Sequence, residues 1–108
     1  MHRLTLAAAF LAATAMSSVP ALADDIVFML HNKSSYAITG FFASPPDVDS
    51  WEDNILESDL KSGTSIRVTI ADGRSGCRYD LRFVFEDDDA VEEKAINLCE
   101  VEDYNVND

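Results

Sequence analysis

The chain has 108 residues, of which 20 are Asp or Glu and eight are Lys or Arg, for a formal net charge of −12 at pH 7. Acidity of this degree argues against nucleic acid or an anionic lipid surface as partner, because both are held by Lys and Arg neutralising phosphate. Solubility alone accounts for such a charge, and the partners it would attract are cations, basic proteins or cationic peptides; two cysteines in so short a chain suit a small stapled domain.

Met1-His2-Arg3 precedes an apolar run from Leu4 to Met16, interrupted only by Thr5 and Thr14. Ser17, Ser18 and Pro20 end the run, and Ala21-Leu22-Ala23 has the small-x-small pattern that signal peptidase accepts. The run is too short to span a bilayer and reads as a secretory signal over residues 1–23. There is no twin arginine and no lipid-anchoring cysteine behind it. Cleavage there leaves residues 24–108 as one domain of 85 residues, with seven basic against 20 acidic residues and a net charge of −13. The expected location is periplasmic or secreted, with no membrane span after cleavage. A core of this size is marginal without a staple.

Along the mature chain, "IVFMLHN" (26–32) is apolar and β-branched and predicts a first strand. "YAITGFFAS" (36–44) has two fairly apolar faces and predicts a central strand, paired with the first as a hairpin across the short Lys33-Ser34-Ser35 link. Pro45-Pro46 stops it. In "DVDSWEDNILESDL", Ser50 is placed to cap a short helix around residues 50–57, with Trp51 as its anchor on the sheet. "TSIRVTI" (64–70) alternates cleanly, with Ile66, Val68 and Ile70 inward. Asp72-Gly73 and Ser75-Gly76 bracket a surface loop. "CRYDLRFVF" (77–85) and "AVEEKAINLC" (90–99) form a hairpin, and "EDYNV" adds a short edge strand. The class is all-β: a small antiparallel β-sandwich of five or six strands, immunoglobulin-like architecture being one option, with one short helix.

Taking Asp88 as the hairpin tip, Cys77 and Cys99 lie eleven residues to either side and become cross-strand neighbours. That predicts a Cys77–Cys99 disulfide, closing a loop of about 20 residues and stabilising by roughly 3 kcal/mol. The same register pairs Phe83 with Glu93 and turns Ile96 and Leu98 outward, which a bulge between Asn97 and Cys99 would repair.

The acidic run raises the question of calcium. Calcium takes six to eight oxygens from several directions, whereas consecutive strand residues point to alternate sides. Asp87 and Asp89 at the tip, and Asp47 and Asp49 before the tryptophan, are the only metal candidates and weak ones. Trp51 and Ser58 stand where an EF-hand needs ligands. A solvated tip that discourages edge-to-edge association accounts for the run better. His31 is the single histidine of the mature chain, and no zinc set, paired-carboxylate site or Ser-His-Asp set emerges around it. No cofactor is implied. Asp80 and Arg82 share a strand face, as an outward charge pair or a latch on the Trp51 segment, so Trp51, Asp80 and Arg82 form the candidate binding surface.

At "FFASPPDVDSW", "LKSGTSIRVTI" and "CRYDLRFVF…INLC" the chain resembles an uncharacterised family of small exported bacterial β-rich proteins. Some members carry the label argininosuccinate lyase, an activity of a large helical oligomer that 85 β-rich residues cannot supply. The resemblance spans nearly the whole mature domain and brings no functional residues with it. This chain departs from the pattern at the tip, where Asp87-Asp88-Asp89 stands in place of Asp-Gly. Together these readings point to an exported non-enzymatic binding or accessory domain. The alternatives are a calcium-stabilised structural domain and an acidic inhibitor of a basic enzyme such as lysozyme.

Overall fold

The computed structural model describes residues 25–108; the expected signal peptide, residues 1–23, lies outside the described residues. Six strands form in chain order: β1 (Ile26–Asn32), β2 (Ile38–Ser44), β3 (Ser65–Ile70), β4 (Arg78–Phe85), β5 (Ala90–Asn97) and β6 (Asp103–Val106). They make two three-stranded sheets, ordered β3-β1-β6 and β2-β4-β5. Period-two burial on β1 and β4 aims Phe28, Leu30, Tyr79, Leu81 and Phe83 into the space between the sheets. Phe28 meets Phe41 edge-on at 6.3 Å, Phe41 stacks on Phe83 at 4.8 Å, and Phe83 stacks on Tyr104 at 5.6 Å. This aromatic row crosses from one sheet to the other and back, so it is the centre of a sandwich core.

The β1–β2 hairpin is not formed. β1 is the central strand of one sheet and β2 an edge strand of the other. Both strands carry an apolar face, and stacking the faces buries both, where side-by-side pairing would leave each uncovered. The link is turned by Asn32, whose side chain is 1% exposed. Its amide donates to the Tyr36 and Leu60 carbonyls, and its oxygen accepts from the Ser34 amide and hydroxyl. A buried amide with every group satisfied is a rigid corner. β2 also shifts register between Ile38 and Gly40, which is why Ile38 and Phe41 both face inward despite their odd spacing.

The helix around residues 50–57 is absent: the segment runs extended along the outer edge of β2. Asn54 explains the choice. Its side-chain oxygen accepts from the Phe41 amide and its NH2 donates to the Thr39 carbonyl, so it stands in for a strand residue. The Ile55 amide donates to the Phe41 carbonyl, and Leu60 pairs with Ile38. Ser50 caps nothing; its carbonyl accepts from the buried Ser44 hydroxyl. The anchors are Leu56 and Leu60, both in the core, rather than Trp51, which is only half-buried. The sandwich is not wholly antiparallel, because β6 returns parallel to β1.

The β4–β5 hairpin departs from the symmetric register by two residues near the tip and by one near its base. Leu81 faces Glu93 and Phe83 faces Val91, while Tyr79 faces Ile96. The extra residue sits at Lys94–Ala95, opposite Asp80, rather than between Asn97 and Cys99. Ala95 has φ 54° there, and its amide donates to the Asp80 carboxylate. After β5 the chain makes one 3₁₀ turn, Leu98–Glu100, that buries Leu98.

Candidate functional site

The expected disulfide is formed: Cys77 and Cys99 are joined with their Cα atoms 5.3 Å apart. Neither cysteine is inside a strand. Cys77 precedes β4, Cys99 lies in the 3₁₀ turn, and the Leu98 amide donates to the Cys77 carbonyl to bring them together. At the far end of the hairpin, residues 86–89 form an exposed turn with Asp88 at φ 71°. The Asp87 carboxylate accepts from the Asp89 amide, which ties it to its own loop. Asp47 and Asp49 lie on a separate exposed stretch. Among the described residues, no group of three or more His, Cys, Asp or Glu is placed to hold a metal ion.

The structure brings Trp51 and Asp80 together in a shallow cleft of about 120 Å³, shared with Ser44, Asp49, Glu92 and Lys94. Arg82 reaches it only through Glu92, to which it donates at 2.6 Å. Asp80 and Arg82 do not pair with one another: Asp80 turns to the Ala95 amide and to Lys94 at 3.8 Å. The Lys94 ammonium also stands 5.8 Å from the Trp51 ring centroid and 3.5 Å from Glu92. The surface is thus a latch in which Asp80, Glu92, Lys94 and Arg82 already face opposite charges.

A second latch holds the next residue of the same segment, Glu52. Arg74 donates to both Glu52 oxygens and to Asp72, and the Tyr79 hydroxyl donates to Asp72 at 2.7 Å. The guanidinium holds Glu52 below the usual carboxylate range. Burial would raise Asp72, but donation from Tyr79 and from the Arg74 amide and side chain outweighs it and leaves the carboxyl lowered. Burial, then the bond to Asp72, pushes the Tyr79 phenol up to about 12.

A hydrogen-bonded Ser-His-Asp set, absent from the sequence reading, does form. His31 Nδ1 lies 2.6 Å from Ser65 Oγ, and Nε2 lies 2.8 Å from Asp103 Oδ1. Strand register produces it: Ser65 on β3 faces His31 directly, and β6 runs on the other side of β1. The set crosses the outer face of one sheet. Asp103 is 61% exposed, so water competes for its carboxylate. None of the clefts named in this section is lined by any of the three. A nucleophilic serine needs donors converging on a developing oxyanion in a shielded place. As built, its two hydrogen bonds tie three strands together.

A cleft of about 400 Å³ lies between residues 55–58 and β3 and includes Arg67. A different region was not foreseen from the sequence. Beside the hairpin tip, Tyr36, Phe85 and Val91 line a cleft of about 210 Å³ rimmed by Asp87, Asp89 and Asp108. A neighbouring cleft of the same volume continues along Glu93, Tyr104 and Asn105. Tyr36 and Val91 are each 45% exposed, among the most exposed large apolar side chains described. Tyr104 donates to Glu93 at 2.7 Å across this seam, and burial, then that bond, holds its phenol well above the usual range. Asp108 accepts from the Ser35 amide, which lowers its carboxyl. The available signal was the surplus of apolar residues on both faces of 36–44 and on the return strand.

No described helix is long and apolar enough to cross a membrane. Compared with protein-family models, with curated proteins and with solved structures, the chain matches none.

Proposed function

We propose that this chain is an exported, non-enzymatic binding or accessory domain of the bacterial cell envelope, directed at a positively charged partner. The observation that carries the reading is the distribution of charge. Arg74, Arg82 and Lys94 are engaged with carboxylates of the chain itself. Glu86 and Asp87 to Asp89 stand together on an exposed turn, and no Lys or Arg lines the cleft beside them. The external field at that end is negative and draws in cations and basic surfaces. The intramolecular disulfide supports an oxidising compartment. The resemblance to small exported bacterial proteins supports the envelope.

The test is retention of a basic protein, with lysozyme as probe, on the immobilised mature domain at low and at high salt. Binding at low salt that weakens steeply as salt rises is expected, because charges further apart than a Debye length are screened. No retention at low salt, or retention indifferent to salt, would refute the reading.

A further inference from the structure

We propose that the open seam between β5 and β6 is the partner site. Its occupant is an extended polypeptide segment carrying an aliphatic or aromatic side chain flanked at alternate positions by lysine or arginine. This rests on the cationic-partner reading above and gives it a location.

A sandwich of two three-stranded sheets has two open sides. On one, residues 54–60 bond along the β2 edge and lie beside β3, closing it. On the other, β5 and β6 belong to different sheets, and each is bonded to a neighbour on one side only. That side is held by side chains, through the Tyr104–Glu93 hydrogen bond and the stack of Phe83 on Tyr104. Backbone donors and acceptors along an edge strand are what an added strand uses.

The chemistry of the seam then selects the occupant. Its floor carries the two exposed apolar side chains, Tyr36 and Val91. Its rim carries Asp87, Asp89 and Asp108, with Glu93 further along, and among the described residues no Lys or Arg lines either cleft. A strand laid on either edge sends every second side chain into the groove. One apolar residue then covers Tyr36 and Val91, while basic residues two positions away on each side meet the rim. A second copy of this chain is a poor occupant: it brings the same acidic rim and a net charge of −12.

The test uses a synthetic peptide repeating Lys-Thr-Leu-Thr, and the same peptide with Leu replaced by Ser, titrated into the mature domain by calorimetry at low salt. Tyr36→Ser and Val91→Ser remove exposed side chains, and a thermal melt confirms that each variant remains folded. Each is expected to weaken the Leu peptide about tenfold, as for a contact near the centre of an interface. The Ser peptide binds wild type more weakly and is indifferent to both variants. Asp89→Asn weakens binding, whereas Glu57→Gln, which removes the same charge from an exposed site away from the seam, does not. If Asp89→Asn and Glu57→Gln weaken binding equally and the apolar variants change nothing, attraction is diffuse. That overturns the seam site and leaves the acidic-module reading intact. Loss of both peptide and lysozyme binding overturns both.

Discussion

Replacing both cysteines, Cys77→Ala with Cys99→Ala, tests how far the fold depends on its staple. The bridge spans a sequence separation of 22, for which loop-closure entropy gives about 3.4 kcal/mol at 25 °C. A domain of about 84 residues holds in total about 4–13 kcal/mol at the usual per-residue range. The loss is therefore between a quarter and most of the stability. With an unfolding entropy of about 2.1 cal/mol/K per residue, it lowers Tm by about 15–20 °C. Guanidinium unfolding of the oxidised domain and the double variant measures it directly. The m-value should also rise, because the unlinked denatured chain exposes more surface. The β4–β5 turn is local, so residual hairpin in the denatured state trims the figure without abolishing it. A loss below about 1 kcal/mol would refute the reasoning. It would mean that the Leu98–Cys77 backbone bond and the burial of Leu98 hold the hairpin base unaided.

Ala95→Gly should stabilise by about 1 kcal/mol, since Ala pays a steric penalty at φ 54° that Gly does not, and a fall in Tm would contradict a left-handed bulge there. Tyr79→Phe should cost about 1 kcal/mol at neutral pH through the lost hydrogen bond to Asp72, whose oxygen keeps Arg74 as its remaining donor. Because the folded phenol sits near 12 and the unfolded one near its ordinary 10, that contribution is intact below about pH 10. It is lost as pH rises from there to about 12, so the variant should show a shallower alkaline decline. Millimolar calcium should leave the melting temperature unchanged; a rise would revive a metal site at Asp87 and Asp89 or at Asp47 and Asp49. A fluorophosphonate probe should leave Ser65 unlabelled, and labelling would show that the Ser65–His31–Asp103 tie is a nucleophile after all.

The strands were legible wherever a two-residue period met a turn signal. Residues 26–32, 64–70 and 77–85 alternate or are uniformly apolar, and the structure places strands there within one residue at each end. The disulfide was legible from spacing alone, although the register beneath it was not. The position of a bulge depends on which backbone can absorb a left-handed residue, and Ala95 gives no such sign. The helix at 50–57 failed for a comparable reason. Local propensity suggested a cap at Ser50, but Asn54 and Ile55 found partners on the β2 edge, a contact between distant residues that no window reveals. The sheet assignment of β1 and β2 failed because a short link looks the same whether it turns a hairpin or crosses a sandwich. Only Asn32 carries that information, through bonds to Tyr36 and Leu60. Trp51 and Asp80 line one cleft, but the lysine that shares it comes from β5 and was invisible before the register was known.

The acidic surface admits two explanations that differ in one respect. Charge on edge strands and at a hairpin tip keeps a small sandwich soluble and stops its edges from pairing. That accounts for Asp87 to Asp89, Glu92 and Glu93 without any partner. It does not account for Tyr36 and Val91, which solubility alone would favour replacing with polar residues. Single exposed apolar side chains are ordinary. Two lining one cleft, on the side of the sandwich that no described loop covers and inside a rim of carboxylates, are a combination that solubility does not require. Binding a basic segment through an apolar contact requires both halves of it. On the proposed reading, the acids repel copies of this chain and bring cationic chains close, and the apolar pair then decides which of those chains stays.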